Sequence, residues 1–286
     1  MSADTLTSTS TSPEHVLNVL NAEYPVTDEM KESFRTNGFI KLSRVLSPEL
    51  LSYYEDHVTR LVLDIASAQH EKTMEERSTY EKAFLQAINL WLRDPVVSEF
   101  VHGKRLARIA TELLGVSGVR LYHDQGLYKE PGGGITPWHV DQYYWPLGPG
   151  STVTAWIPFQ ETPAEMGPLT FKARSQHITD ARGLAISEDS EAAIAANEKL
   201  AALETFEEPF SLGDVSFHGG WTYHRASPNR SQAMRRVMTV IFIEDGMQVS
   251  EPQVEEHRFA LDMYFPGKTP GEAVGGELHP LVYAAG

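Results

Sequence analysis

Apolar positions recur at helical spacing through the first third of the chain and at strand spacing after it. Thr27 stands as an N-cap before a helix with Met30 and Phe34 four apart, and Gly38 marks its stop. Phe39, Ile40 and Leu42 then predict a short strand. Ser47 before Pro48 opens a second helix, carried to about Ala66 by the periodic Leu50, Leu51, Tyr54, His57 and Leu61. The Glu/Lys-rich span His70 to Lys82 reads as a solvated connection or polar helix. Two more helices are predicted: Phe84 to Leu92 and, with Asp94 as N-cap, Val96 to Leu114, closed by Gly115.

From Val119 onward the pattern alternates and is punctuated by turns. Strands are predicted over Val119 to Lys129, Pro137 to Tyr144, Thr152 to Phe159, Leu169 to Phe171, Asp214 to Phe217, Thr222 to Arg225 and Arg235 to Ile243. Helices first and strands later argue an α+β chain, with an antiparallel barrel or sandwich and helices packed outside it. An Ala/Glu-rich segment, Ser187 to Thr205, interrupts the strands as a helical excursion, either a solvated surface helix or part of a cover.

Composition narrows the function classes. At 286 residues, 41% hydrophobic and 22% charged, the chain fits one large globular domain. A net charge of -15, from 24 Lys+Arg against 39 Asp+Glu, disfavours nucleic acid and anionic membrane surfaces as general partners. No apolar run approaches the roughly 20 residues that span a bilayer. The Ser/Thr-rich positions 5 to 12 look like a disordered tail rather than a signal peptide, so a soluble cytoplasmic protein acting on a small molecule is the default. Cysteine is absent, which removes disulfides and thiolate ligands.

His139 and Asp141 then become the most informative pair. On an extended strand they point to one face while Val140 points away, so both donors reach one ion. With a distant histidine they would form a facial triad, the ligand set of non-haem Fe(II) sites that leaves positions open for a co-substrate and O2. His218 and His224 both qualify by residue type as that third ligand, and Arg235 and Arg236 compete as an inward cation.

The segment Lys129-Glu-Pro-Gly-Gly-Gly-Ile-Thr-Pro-Trp-His139-Val-Asp141 joins a glycine-rich turn to an aromatic strand. Leu212-Gly-Asp-Val-Ser-Phe-His218-Gly-Gly-Trp-Thr-Tyr-His224 continues into Asn229 and Arg235. In order and spacing these motifs resemble the phytanoyl-CoA dioxygenase family of Fe(II)- and 2-oxoglutarate-dependent oxygenases, over about Thr27 to Tyr283. The resemblance implies a double-stranded β-helix, or jelly roll, with flanking helices. It also implies a disordered tail over 1–26 and one oxygenase domain over 27–286. Within that domain, 27–117 would be a helical flank, 118–245 the jelly-roll core with an excursion over 183–206, and 246–286 an extension near the active site.

By the same resemblance, His139, Asp141 and His224 hold the metal, because His224, Asn229 and Arg235 match the family's distal motif position for position. Arg235 then grips the distal carboxylate of 2-oxoglutarate, with Trp156 packed beside it and Gln125 as a further contact. His218 becomes a structural or substrate-facing histidine and Arg236 a surface salt bridge. Two departures stand out: Val140 occupies a frequent glutamine position and Ala226 a frequent serine position, each removing a hydrogen-bonding group near the co-substrate. Asp141 fills the coordination position that a halogenase leaves for halide. The implied activity is hydroxylation of a small molecule with release of succinate and carbon dioxide, although the same ligand set also serves desaturation, ring formation or epoxidation. Tyr143, Tyr144 and Trp145 are candidates for a substrate wall. Lys129, near the expected mouth, could meet an anionic substrate or cover a strand edge. No dense Lys/Arg cluster is present to hold coenzyme A phosphates.

Overall fold

The computed structural model describes residues 13–286. The flank opens with α1 (Pro13–Asn21), α2 (Asp28–Asn37), β1 (Phe39–Leu42), α3 (Pro48–Ile65), α4 (Ser67–His70), α5 (Thr79–Ala83) and β2 (Leu85–Ile88), followed by α6 (Pro95–Val101) and α7 (Lys104–Leu114). The sequence signals at several ends act as expected. The Thr27 and Ser47 hydroxyls accept from Met30 N and Leu50 N, the Asp94 carboxylate accepts from Val96 N and Val97 N, and Gly38 and Gly115 close their helices in the left-handed conformation.

The strands that follow are β3 (Gly118–Tyr128), β4 (Thr136–His139), β5 (Thr152–Pro158), β6 (Leu169–Lys172), β7 (Thr205–Glu207), β8 (Val215–Gly219), β9 (His224–Ala226), β10 (Val237–Glu244) and β11 (Leu281–Ala284). The excursion forms α8 (Glu188–Ala196) and α9 (Glu198–Ala201), and α10 (Glu255–Tyr264) lies in the C-terminal extension. The larger sheet has seven strands in the order β1-β8-β5-β10-β3-β11, with β2 also on β3, and the smaller has the order β4-β9-β6-β7. Trp156 of β5 and Val237 of β10 pack against Leu169, Phe171 and Ala226 of the smaller sheet. The chain is thus a jelly roll of two facing sheets, open rather than closed into a barrel.

Alternation decides what each face of the larger sheet does. Val153, Ala155 and Ile157 of β5 and Met238, Val240 and Phe242 of β10 turn outward into the main core, against Val58 and Val62 of α3, Phe100 of α6 and Ala110 of α7. The alternate residues, Thr154, Trp156 and Thr239, turn inward and line a cavity between the sheets.

Three expectations are corrected. The segment expected to be a helix over Phe84 to Leu92 is instead β2 and a 3-10 turn. Edge pairing with β3 overrides its helical spacing, and the Asp124 carboxylate accepts from Leu90 N and Trp91 N to fix the turn. The long helix expected over Val96 to Leu114 breaks at His102–Gly103, where a Cβ on Gly103 would lie 2.5 Å from Leu20 Cδ1 of α1. The tail expected to be disordered over 1–26 contains that same helix, with Val16 and Leu20 buried in the core, while 1–12 lie outside the described residues. Strand bounds also move, since β4 stops at His139 and Asp141 begins a 3-10 turn to Tyr144. No helix among the described residues is long and apolar enough to cross a membrane.

Candidate active site

The smaller sheet brings the two histidines together directly, because His139 of β4 and His224 of β9 are register partners and their rings lie 4.1 Å apart. Each Nδ1 lies near the carbonyl two residues earlier: His139 Nδ1 is 2.7 Å from Pro137 O and His224 Nδ1 is 3.0 Å from Thr222 O. A donor hydrogen on Nδ1 leaves the Nε2 lone pair of both rings free for a metal.

Asp141 completes the group. Val140 is still extended, so Asp141 returns to the His139 face although it is no longer in the strand, while Val140 packs beneath with Ile194, Leu200 and Tyr223. Asp141 Oδ1 lies 3.6 Å from His139 Nε2 and 3.5 Å from His224 Nε2. Its Oδ2 accepts from Thr154 Oγ1 at 2.8 Å and pairs with His218 Nε2 at 3.2 Å. The three donor atoms of His139, Asp141 and His224 lie within 4.8 Å of one another. Two imidazole nitrogens and one carboxylate oxygen on one side of a cavity fit a facially bound divalent metal. Burial favours a neutral Asp141, but His224, His139 and His218 outweigh it and hold the carboxyl well below its usual range. Burial, then the neighbouring His139, keeps His224 neutral.

His218 therefore does not join the triad but supports Asp141 from the larger sheet. Strand register explains its place: His123, Ile241, Thr154 and His218 form one row across β3, β10, β5 and β8, and Gln125, Thr239, Trp156 and Ser216 form the next inward row.

Arg235 sits just before β10, in a backbone bridge with Lys129, and is 2% exposed. Its guanidinium donates to Gly167 O, lies over the Trp156 ring and leaves Nε without a partner. No carboxylate pairs with it among the described residues, and burial pushes its pKa down to about 9. A buried guanidinium without a counter-ion at the inner end of a cavity is suited to an anionic ligand. Gly167 has φ +72, and a Cβ there would meet Ser227 O at 2.1 Å, so only glycine presents this carbonyl to Arg235. Arg236 faces the other way and pairs with Glu55 of α3 at 2.9 Å, its side chain 38% exposed.

Trp156 and Gln125 both line the cavity, whose volume is about 460 Å³. Gln125 Oε1 accepts from Gln86 Nε2 at 2.5 Å, and Gln86 Oε1 accepts from Tyr80 Oη at 3.0 Å, a chain leading from the inner end toward α5. Lys129 is not at the mouth. It is buried, and its Nζ donates to Gly134 O, Thr136 Oγ1 and Ser227 O, tying the glycine-rich turn to the end of β9. Of the aromatic run, Tyr144 and Trp145 line the cavity, while Tyr143 Oη donates to Glu256. The C-terminal extension expected near the site supplies α10, whose Glu255, Glu256, Phe259, Ala260 and Tyr264 line the cavity. Sequence reasoning missed His123 and Tyr80; strand parity from Gln125 would have found His123, and nothing local marks Tyr80.

The profile of the phytanoyl-CoA dioxygenase family, PhyH, matches residues 34–237. Among solved structures, the chain is similar to the non-haem α-ketoglutarate-dependent carbocyclase SnoK from nogalamycin biosynthesis, at 23% identity over 90% of this chain and 97% of that one, TM-score 0.73. It is also similar to the epimerase SnoN in complex with Fe3+, α-ketoglutarate and nogalamycin RO, at 21% identity over 90% and 98%, TM-score 0.74. A third likeness is to EctD from S. alaskensis with 2-oxoglutarate and 5-hydroxyectoine, at 18% identity over 91% and 90%, TM-score 0.65. At these identities the structures establish the fold. Comparison with curated proteins gives no significant match.

Proposed function

The chain belongs to the phytanoyl-CoA dioxygenase family and is an Fe(II)- and 2-oxoglutarate-dependent oxygenase; within that identity, we propose that His139, Asp141 and His224 hold the iron and Arg235 the co-substrate, and that the protein hydroxylates a small molecule. The observation that carries this reading is the convergence of a three-donor face and an unpaired buried guanidinium on one cavity. Bound there, Fe(II) and 2-oxoglutarate supply the oxidising chemistry, in which O2 is consumed, 2-oxoglutarate leaves as succinate and carbon dioxide, and one oxygen atom enters the substrate.

The residues do the positioning. Thr154 and His218 hold one oxygen of Asp141 so that the other faces the two Nε2 atoms. The planar fork of Arg235 offers a carboxylate parallel hydrogen bonds, with Trp156 as an apolar wall and the Gln125 amide beside it. Ala226 lines the cavity without a hydrogen-bonding side chain and Val140 points away from it, so Arg235 would supply the charged contact to the co-substrate. Aromatic side chains at the outer end limit water around the reacting centre.

The net charge of -15 supports a small-molecule substrate rather than nucleic acid. The test is direct. Anaerobic addition of Fe(II) and 2-oxoglutarate should produce a visible metal-to-ligand charge-transfer band, and admission of O2 should yield succinate. Metal binding without either signal defeats the reading. Product analysis separates hydroxylation from desaturation, ring formation or epoxidation.

A further inference from the structure

The outer chamber contains a polar group that the proposed chemistry does not use. His123 of β3 is 2% exposed and lines the cavity, yet its Nδ1 has no hydrogen-bond partner. Its ring is held rather than free: it stacks on Tyr264 at 4.8 Å with 17° between planes and meets Trp145 edge-on. A buried ring nitrogen fixed by aromatic neighbours and left without a hydrogen-bond partner is costly unless a ligand uses it.

The helix that supplies Tyr264 also sets the charge of the mouth. Glu255, Glu256, Phe259, Ala260 and Tyr264 all line the cavity from α10, and Phe259 is 61% exposed although it faces this space. Arg235, at the inner end, is the one cationic residue lining the cavity among the described residues. Once a dicarboxylate occupies Arg235, what remains is a chamber of tyrosine, tryptophan and phenylalanine with two carboxylates at its rim and a neutral imidazole in its wall. Aromatic faces and carboxylates both attract cations, and nothing there would neutralise an acid. A cavity of about 460 Å³ shared with 2-oxoglutarate also suits a small ring system better than a nucleotide-bearing thioester.

We propose that the outer chamber takes a ring-bearing amine, with Glu255 and Glu256 meeting the ammonium, the Tyr264, Tyr144 and Phe84 side chains enclosing the ring, and His123 accepting or donating a hydrogen bond to a polar substituent on it. This rests on the reading that iron and 2-oxoglutarate occupy the inner end.

Three indoles of one skeleton and different charge test it: tryptamine, indole-3-ethanol and indole-3-propionate. Each is titrated by calorimetry into the protein loaded anaerobically with Fe(II) and 2-oxoglutarate, with the charge-transfer band recorded in parallel. Tryptamine should bind at least about tenfold more tightly than the propionate, the factor expected for one charge-assisted contact. The Glu255→Gln, Glu256→Gln double variant, altered at exposed and half-buried positions, should erase that preference. His123→Phe keeps the stack with Tyr264 and should weaken tryptamine roughly threefold to tenfold. Tighter binding of the propionate, no binding of tryptamine up to its solubility, or an unchanged preference in the double variant overturns the proposal. A missing charge-transfer band is a separate failure, of the iron site, because that band reports the inner end alone while calorimetry reports the indole series.

Discussion

The two ends of the cavity are built differently. At the inner end each group is fixed by something else: His139 and His224 by register and a carbonyl, Asp141 by Thr154 and His218, Arg235 by Gly167 and Trp156. At the outer end the lining comes from α5, β2, β3, the turn after β4 and α10, and it includes exposed side chains. The groups suited to a metal and an anion are thus held by fixed partners, while the groups left to meet a further ligand lie on several separate elements. The contrast can be broken most sharply at the ligands. Alanine at His139, Asp141 or His224 should lower Fe(II) affinity by more than about a hundredfold, beyond what supporting residues contribute, and abolish succinate formation. Iron content after anaerobic dialysis measures it. His224→Ala retaining its iron would remove that histidine from the site.

The co-substrate anchor comes next in size. Arg235→Lys keeps a charge but loses the fork, and the lost charge-assisted bond, about 1.5–3 kcal/mol, should weaken 2-oxoglutarate roughly ten- to hundredfold. Arg236→Lys, on the opposite face with Glu55, should leave 2-oxoglutarate affinity unchanged. The charge-transfer titration gives both values, and a reversed order would show that Arg236 faces the co-substrate in solution.

A smaller effect is expected one layer out. Thr154→Val preserves shape and removes the hydroxyl that holds Asp141 Oδ2, and His218→Phe preserves the ring and removes the nitrogen. Each should weaken Fe(II) by about tenfold, the low end of what supporting hydrogen bonds contribute at metal sites, without ending turnover. A variant that loses iron completely would make His218 a ligand rather than a support.

The same contrast explains what the sequence disclosed. His139 and Asp141 are two apart, and extended backbone at Val140 alone brings them to one face, so local periodicity suffices. Arg235 and Arg236 were separable only by family spacing, because both faces of β10 are apolar: one meets the helices and the other the cavity. The stretch Phe84 to Leu92 misled because its apolar spacing suits a helix, whereas the unpaired edge of β3 and the Asp124 carboxylate decide its fate. Lys129 misled for a related reason: its burial is made possible by three oxygen acceptors drawn from distant parts of the sequence. The Tyr264–His123 stack joins residues too far apart for any local pattern to announce.

The smallest effect concerns which segment covers the mouth. The excursion and the C-terminal extension are both expected to border it, and Ile186 of the excursion lines the cavity, but α8 itself is tied to β4: Glu191 accepts from Trp138 N at 2.8 Å and pairs with Arg225, Ser190 Oγ donates to Trp138 O, and Ile194 buries against Trp138 and Val140 together with Leu200 of α9. These contacts make α8 a clamp on the strand that carries His139. By contrast, α10 faces the cavity with Phe259 largely exposed and is held to the turn after β4 by His257 Nε2 and Tyr143 O at 2.8 Å. Five residues of α10 line the cavity and none of α8 does, so a ligand in the outer chamber covers α10 and not α8. Adding tryptamine to the Fe(II)- and 2-oxoglutarate-loaded protein should therefore slow amide exchange several-fold across α10 and leave α8 unchanged. Equal slowing in both would make the excursion part of the cover after all, and the division between a fixed inner end and an adaptable mouth would have to be drawn elsewhere.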